Sequence, residues 1–265
     1  MTTQTLGGQV AIVTGATAYI GKAICARLAQ SGAQVIVSGR NAEAGAGVVA
    51  EIEKAGGQAR FERADLMVPG ELDALAARVS ERYGRIDILV ASGAGASHDS
   101  PSFRFFKDME LAHFEAYIRA HWLTRLYAIR AVHPHMVKAG GGRIVAIGTD
   151  AGRVATVGES MIGGSTAGMM QMCRALSREF GRDKIRVNMV SMSYISDAEP
   201  RWEPGSPSLM TKPGGGGMLD ALKRRMLFDV QCWDIANAVA FLAGPESAAI
   251  TGQTLSVNGG LSTLG

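Results

Sequence analysis

The chain has 265 residues, of which 47% are hydrophobic and 19% are charged, so it is long enough for one sizeable core and is neither disordered nor fibrous. Its 27 Lys and Arg against 24 Asp and Glu leave a net charge of +3, which is too small and scattered to indicate a nucleic-acid partner. No basic residue precedes Lys22 and no run of about 18 apolar residues occurs, so the sequence predicts neither a secretory signal nor a membrane span.

The three cysteines, Cys25, Cys173 and Cys232, are far apart, and each falls in a segment of helical period. No CxxC pair or Cys/His ligand spacing is present, so we expect no metal site. Isolated cysteines in helices are typical of buried, reduced thiols, and reduced thiols are typical of a reducing compartment. The sequence therefore predicts a cytoplasmic protein.

Short β-branched runs alternate with longer segments of helical period from residue 9 onward, which is the pattern of βαβ units. Near-continuous apolar runs such as residues 86–90 indicate strands that are covered on both faces. The sequence therefore predicts one α/β domain over residues 1–265, a Rossmann-like, doubly wound parallel sheet of about seven strands with helices on both faces. The predicted strands are Val10–Val13, Gln34–Ser38, Ala59–Arg63, Ile86–Val90, Arg143–Ile147, Ile185–Val190 and Thr254–Val257.

Helical segments separate these strands, and glycines at 32, 56, 84 and 140 are expected to end four of them. The long segment 192–217 holds four prolines and a run of four glycines, so we expect a lid or substrate loop there. The predicted helices are Ile20–Gln30, Asn41–Ala55, Pro69–Tyr83, Lys107–Lys138, Ser160–Phe180 and Trp233–Ala243.

A glycine-containing turn, residues 14–21 (TGATAYIG), directly follows the first predicted strand, where a Rossmann fold turns into a helix whose amides hold a pyrophosphate. This turn resembles the TGxxxGxG fingerprint of the short-chain dehydrogenase/reductase family. The resemblance extends over nearly the whole chain, through Asp65-Leu66, the strand containing Asn188, and the ending 251–260. It implies that a bound nucleotide contacts Gly15, Thr17, Ile20, Gly21, Arg40, Asp65 and Leu66.

Three cofactor-contacting loops depart from the family pattern. The middle glycine of the fingerprint is Tyr19, whose ring must either occupy cofactor space or swing away. The family's NNAG is replaced at Ala91–Ala94, and its Pro-Gly after the sixth strand is replaced by Met192-Ser193. We therefore expect no nucleotide cofactor or only weak binding, with NADP favoured over NAD because Arg40 suits a 2′-phosphate.

The family's catalytic residues are also replaced. Its Ser, Tyr and Lys fall on Thr149, Ile162 and Thr166, and the Asn of the preceding long helix falls on His121. The family mechanism needs a phenol to exchange a proton with the alcohol oxygen and a nearby ammonium to lower the phenol's pKa. Isoleucine carries no proton, and no Tyr-xxx-Lys pair exists anywhere in the chain. No catalytic residue is therefore predicted.

These losses predict a non-catalytic subunit that supports an active NAD(P)-dependent dehydrogenase, such as one that acts on a hydroxyacyl-CoA. Small residues at 163–165 suit close helix packing, and in the family this helix and the long one before it build a dimer interface. The resemblance thus implies a homo-oligomer, or a hetero-oligomer with a catalytic paralogue.

Two alternatives remain open. Thr14, Tyr19 and Gly21 also fit the T-x4-F/Y-x-G motif of halohydrin dehalogenases, which suggests a non-redox enzyme with a repurposed pocket that uses Thr149 or His121. The other alternative is an NADP-dependent oxidoreductase with an unusual proton donor.

Overall fold

A computed structural model describes residues 5–93, 104–198 and 218–263. Its seven strands form one parallel sheet in the order β3-β2-β1-β4-β5-β6-β7. The predicted Rossmann-like α/β fold is confirmed. The strands are β1 (Val10–Val13), β2 (Gln34–Gly39), β3 (Gln58–Arg63), β4 (Ile88–Ala91), β5 (Gly142–Thr149), β6 (Ile185–Met192) and β7 (Thr254–Val257).

Eight α-helices lie in the described ranges. The glycines at 32, 56, 84 and 140 each follow a helix. Their own φ angles lie between 74° and 93°, which is the left-handed conformation that commonly ends a helix. The helices are α1 (Tyr19–Gln30), α2 (Ala42–Lys54), α3 (Pro69–Tyr83), α4 (Leu111–Ile118), α5 (Thr124–Lys138), α6 (Ser160–Glu179), α7 (Met218–Arg225) and α8 (Cys232–Ala243).

Alternate residues of the five inner strands, β2, β1, β4, β5 and β6, enter two separate cores, one on each face of the sheet. On β1, Ala11 and Val13 join the core formed with α1, α2 and α8, while Val10 and Ile12 join the core formed with α3, α5 and α6. Strands covered on both faces need side chains that are apolar in both directions, which explains the unbroken apolar runs. The three cysteines are free and buried, as predicted.

The predicted helix Lys107–Lys138 is interrupted in its middle. Between α4 and α5, residues Arg119–Leu123 form a π-helical turn. The hydroxyl of Thr124 donates to the carbonyl of Ala120 at 2.9 Å, and the guanidinium of Arg125 donates to the carbonyl of His121. Side chains thus donate hydrogen bonds to carbonyls that, in a regular α-helix, accept hydrogen bonds from main-chain amides. We attribute the wider turn to these two bonds.

The predicted lid, 192–217, lies partly outside the described residues, because only its first seven residues fall within them. Helix α7, which follows it, was not predicted. None of the helices in the described ranges combines the length and hydropathy that crossing a bilayer needs.

Candidate active site

The β1–α1 turn packs tightly on the end of β4, at the point where the strand order reverses. A Cβ on Gly15 would lie 2.4 Å from the Cα of Gly93, and both glycines have positive φ. The hydroxyl of Thr14 donates to the carbonyl of Ser92 at 2.7 Å and accepts from its amide at 3.1 Å. Ligands of open α/β sheets bind in the crevice at this reversal point, at the carboxyl ends of the strands.

The amino terminus of α1 is open to an anion. No side chain caps it, and no acidic residue lies in its first turn. A Cβ on Gly21 would lie 2.3 Å from the carbonyl oxygen of Gly15, so the helix approaches the turn as closely as backbone allows. Uncapped amides and the helix dipole together suit a phosphate.

Tyr19 adopts the backbone conformation that a glycine would. Its φ is 45°, in the left-handed region, and its side chain is 38% exposed. The turn therefore keeps the shape of a glycine turn although a phenol has been added. The strain is local, because a non-glycine residue with this φ costs of order 1 kcal/mol or more.

The other residues of the predicted nucleotide set surround this turn. Thr17 lies against the end of β2, where a Cβ on Gly39 would be 2.7 Å from its Cγ2, and the exposed Arg40 follows directly. Asp65 accepts from the amide of Met67 at 2.9 Å. Two more members adjoin the turn, Ile20 in the first turn of α1 and Leu66 close to Gly93.

The two altered loops are only partly described. Ala94 lies outside the described residues, as does everything up to residue 103. At the end of β6, the hydroxyl of Ser193 donates to the carbonyl of Asn258 at 3.2 Å, which ties this loop to the segment after β7.

Thr149 is the last residue of β5 and Ile162 lies in the first turn of α6, whereas Thr166 has a packing role. The Thr149 hydroxyl accepts from the amide of Ala151 at 3.3 Å and so caps the 3₁₀ turn Asp150–Gly152. Thr166 is buried, and its methyl fills the space that Cβ atoms on Gly148 and Gly152 would need. Thr166 therefore stabilises the contact between β5 and α6 rather than replacing a cation.

His121 belongs to a group of buried polar residues on one side of the α4–α5 region. Its ring stacks on Tyr117 with centroids 4.1 Å apart and planes 10° apart. The buried guanidinium of Arg125 donates through Nε to the carbonyl of Ile147 on β5 at 3.0 Å. Burial, and then the charge of Arg125, lower the pKa of His121 to about 4, so its imidazole is neutral near pH 7.

Asp150 and Glu159, two acidic residues of the segment between β5 and α6, have different surroundings. Asp150 is buried and accepts from Ser191, from Ser256 at 3.0 Å and from Asn258, so it joins β5 to β6 and to the end of the chain. Glu159, just before α6, makes no side-chain hydrogen bond with the described residues. Burial raises its pKa to about 7.

Sequence reasoning missed Tyr117, Arg125, Asp150 and Glu159. Tyr117, His121 and Arg125 recur at intervals of four, a spacing that could have suggested a shared helix face. No sequence signal pointed to Glu159. In the described part of the chain, no group of three or more His, Cys, Asp or Glu side chains could hold a metal.

Comparison with known proteins gives a consistent result along the whole chain. The family model described as enoyl-(acyl carrier protein) reductase matches residues 15–262. The 7alpha-hydroxysteroid dehydrogenase of Escherichia coli K12 is 35% identical over 256 residues, 96% of this chain and 94% of the relative. The 3-oxoacyl-(acyl carrier protein) reductase FabG of the same strain is 32% identical, over 96% of this chain and 97% of the relative.

Solved structures agree with these relatives. A 7alpha-hydroxysteroid dehydrogenase complexed with NADH and 7-oxo glycochenodeoxycholic acid superposes with a TM-score of 0.81 at 33% identity, covering 97% of this chain and 95% of the other. A short-chain dehydrogenase from Burkholderia cenocepacia in complex with NADP gives 0.82 at 31% identity, covering 98% and 100%.

The expectation of a non-catalytic subunit is wrong. The relatives are named as dehydrogenases and reductases, and an acetoacetyl-CoA reductase of Allochromatium vinosum is among them at 32% identity. These names point to a catalytic NAD(P)-dependent oxidoreductase, in place of either a supporting subunit or a halohydrin-dehalogenase-like lyase. The sequence reasoning equated the expected replacement of one proton-transfer group, which is typically worth about 10² to 10⁴-fold in rate, with the loss of the whole reaction.

The expectation of absent or weak nucleotide binding is also wrong, because similar structures hold NADH or NADP. The physical reason lies in the β1–α1 turn, which keeps its glycine-like path at Tyr19 and its close approach at Gly15. The sequence reasoning assumed that losing the glycine meant losing the conformation.

The parallel sheet, the glycine turn and the full-length matches lead to one conclusion. The chain belongs to the short-chain dehydrogenase/reductase family.

Proposed function

We propose that this protein is an NAD(P)(H)-dependent oxidoreductase that interconverts a ketone and a secondary alcohol. The observation that carries the proposal is the preserved dinucleotide turn, where Gly15 meets Gly93 and the amino terminus of α1 is uncapped. The named activities of the relatives support it, since each is a dehydrogenase or a reductase.

The residues around the turn fit the nucleotide. A Cβ at Gly15 would meet the backbone of Gly93 and a Cβ at Gly21 would meet the carbonyl of Gly15, so both glycines let the turn and α1 pack as closely as a dinucleotide turn requires. We propose that Thr17, Ile20, Asp65 and Leu66 line the same site, and that Arg40 binds a 2′-phosphate. When bound, the nicotinamide supplies the two-electron redox chemistry, while the protein positions the substrate and moves the proton.

We propose that the enzyme works without the family's phenol and ammonium. At their positions Ile162 is apolar and Thr166 is buried in packing, so neither exchanges a proton with substrate. Thr149 keeps a hydroxyl at the end of β5 that suits a hydrogen bond to the substrate oxygen. The proton must therefore come from another side chain.

Self-association is the assembly that we propose. Gly164 has open space where its Cβ would be, so the surface of α6 is accessible there. Position 163, in contrast, needs a glycine for packing within the chain, because a Cβ there would lie 2.7 Å from the carbonyl oxygen of Ala151. Gly164→Leu should weaken assembly in sedimentation experiments. A catalytic paralogue as partner has no support from the relatives.

Nucleotide titration and ketone turnover test the function. Calorimetry with NADPH and NADH should give dissociation constants in the micromolar range, about −8 kcal/mol. Acetoacetyl-CoA and 7-oxo glycochenodeoxycholic acid are suitable probe ketones, because relatives are named for reactions or complexes with them. No turnover of either ketone, together with no nucleotide binding, would refute the proposal.

A matched pair of glycine variants separates the site from general strain. Gly15→Ala places a Cβ against Gly93, whereas Gly56→Ala places one in open space, and both residues have positive φ. The strain that comes from positive φ is therefore similar in the two variants, and only Gly15→Ala adds a contact with the end of β4. We expect only Gly15→Ala to abolish nucleotide binding.

A further inference from the structure

A cavity of about 690 Å³ lies at the amino ends of β4, β5 and β6, at the opposite end of the sheet from the dinucleotide turn. The proposed function makes no use of this β4–β6 cavity. Four of its lining residues are cationic and one is a carboxylate, and they are Arg85, Arg143, Lys184, Arg186 and Asp87. An excess of positive charge in a concave surface attracts anions.

The single carboxylate in the described lining is already neutralised. Asp87 is buried, and it accepts from Nε of Arg85 and from the amide of Val10, both at 2.8 Å. Arg85 also donates through Nη2 to the other carboxylate oxygen, so the two side chains form a bidentate ion pair. The net charge of the lining therefore comes from the three other cations.

Arg143 and Arg186 lie directly opposite each other on neighbouring strands. Their Cα atoms are register partners in the parallel β5–β6 pair, so both side chains project from the same face of the sheet, from strands roughly 4.8 Å apart. Like charges in this arrangement repel each other. Burial, and then the charge of Arg143, lower the pKa of Arg186. The fold thus holds two guanidinium groups together at a cost that a shared anion would reduce.

Both guanidinium groups keep N–H donors for a ligand. Arg186 donates through Nη1 and Nη2 to three main-chain carbonyls near the end of α8, at 3.0, 3.0 and 3.1 Å. Arg143 donates through Nη1 to Oε1 of Gln9 at 3.1 Å. These acceptors are all uncharged, and a guanidinium has more N–H groups than these bonds use. The Nε–H of Arg186, for example, has no acceptor among the described residues.

Lys184, the third cation, projects from a backbone position that the turn before β5 holds in place. The amide of Gly142 donates to the carbonyl of Lys184 at 3.2 Å. A Cβ on Gly141 would lie 3.2 Å from the Cβ of Lys184, so the turn packs closely against this residue. The side chain of Lys184 is exposed, which leaves its ammonium accessible at the edge of the cavity.

We propose that the β4–β6 cavity binds the phosphate group of a small molecule, with Arg143 and Arg186 as its main ligands. A phosphate suits two separate guanidinium groups because it offers more acceptor oxygens than a carboxylate does. The volume of the cavity lies within the range of about 300 to 1,000 Å³ that is typical of small-molecule sites. The site needs neither a nucleotide nor a ketone, so it is independent of the proposed oxidoreductase function.

Calorimetric titration with inorganic phosphate and with glucose 6-phosphate, at constant ionic strength and without nucleotide, tests this site. Arg143→Gln should weaken the binding of both by at least about tenfold, because it removes a charge-assisted contact. Arg143→Lys keeps the charge without the planar fork, so its affinity should lie between the two. A phosphate bound at the amino terminus of α1 would contribute equally in all these proteins, since Arg143 is at the other end of the sheet.

Arg174→Gln is the matched control for charge. Arg174 is an exposed arginine of α6 that also donates through Nη1 to a glutamine Oε1, that of Gln171, at 3.3 Å. The substitution removes the same charge outside the β4–β6 cavity. We expect the phosphate affinity of this variant to equal that of wild type.

Nuclear magnetic resonance of the wild-type protein gives a readout that needs no variant. Saturating phosphate should shift the side-chain Nε–H signal of Arg186, and sodium chloride at the same ionic strength should not. This measurement decides the question even if Arg143→Gln does not fold.

Three results would overturn the inference. The first is equal phosphate affinity in wild type and Arg143→Gln, and the second is an Arg186 signal that phosphate leaves unchanged or that chloride shifts equally. The third is an equal loss of affinity in Arg174→Gln, which would indicate general attraction to a basic surface. None of these measurements uses NADPH or turnover, so the outcome is separate from that of the proposed function.

Discussion

The phenol of Tyr117 and the imidazole of His121 lie nearly parallel, with ring centroids 4.1 Å apart. The two residues are four positions apart and lie on either side of the junction between α4 and the π-helical turn. Because burial and the charge of Arg125 keep His121 neutral, the pair stacks as two uncharged aromatic rings. The stack thus depends on pH.

We expect the protein to lose stability in acid because of His121. The pKa of His121 is about 4 in the folded protein, compared with 6.5 in the reference state. As pH falls, the unfolded chain therefore binds a proton at a higher pH than the folded protein does. This contribution to stability is complete above about pH 6.5 and is lost between there and pH 4. The size is at most about 3 kcal/mol. Urea unfolding of His121→Phe, which keeps a ring but cannot titrate, should show no such loss, and an equal loss in both proteins would contradict the assignment.

Replacing Arg125 should disturb the π-helical turn. Arg125→Met keeps much of the side-chain volume but leaves the carbonyls of Ile147 and His121 without their donor, which costs about 2–4 kcal/mol. We also expect amide hydrogen exchange at residues 119–124 to change. Arg130→Met, on an exposed site of the same helix, is the matched control. Equal stability of the two variants would show that the buried guanidinium is not essential to this region.

Replacing Asp150 should release the end of the chain. In Asp150→Asn, an amide group faces the amide of Asn258, and two serine hydroxyls lose a charged acceptor. We expect a loss of about 2–4 kcal/mol in the free energy of unfolding. Limited proteolysis should cut the segment after β7 sooner than in wild type. Asp73→Asn, at an exposed ion pair, should change neither property.

Glycine at position 19 should stabilise the protein and improve nucleotide binding. Tyr19 has φ 45°, and Tyr19→Gly removes strain of order 1 kcal/mol in the folded state. Lys184, with φ 58°, is the only other described non-glycine residue at positive φ, so Lys184→Gly is a matched control. Both variants should gain stability by thermal unfolding, but only Tyr19→Gly should change the affinity for NADPH. Equal affinities would mean that the ring lies clear of the nucleotide.

The fold and the nucleotide turn could be predicted from sequence because both depend on short-range patterns. Apolar runs and glycine stops located seven strands and most helix ends, and the spacing in residues 14–21 located the turn at β1. The π-helical turn could not be predicted in this way, because the bonds from the side chains of Thr124 and Arg125 to main-chain carbonyls leave no pattern of apolar residues or glycines.

The function was predicted wrongly for a different reason. Counting residues back from the helix end at 173–180 assigned Ile162 and Thr166 to the positions of the family's phenol and ammonium, but counting does not identify side chains that enter the same space from elsewhere. Arg125, for example, reaches β5 from α5 and donates to the carbonyl of Ile147. The expected replacement of two catalytic residues was therefore taken as the loss of activity.

The π-helical turn at Arg119–Leu123 makes the segment from α4 to α5 one residue longer than a regular helix of the same number of turns. A wider turn holds one more residue than an α-helical turn does, so it acts as a one-residue insertion that needs no loop. Deleting one residue there would let α4 and α5 join as a regular helix. Tyr117 and Arg125 would then be seven residues apart, which is about two α-helical turns, so they would stay on the same face.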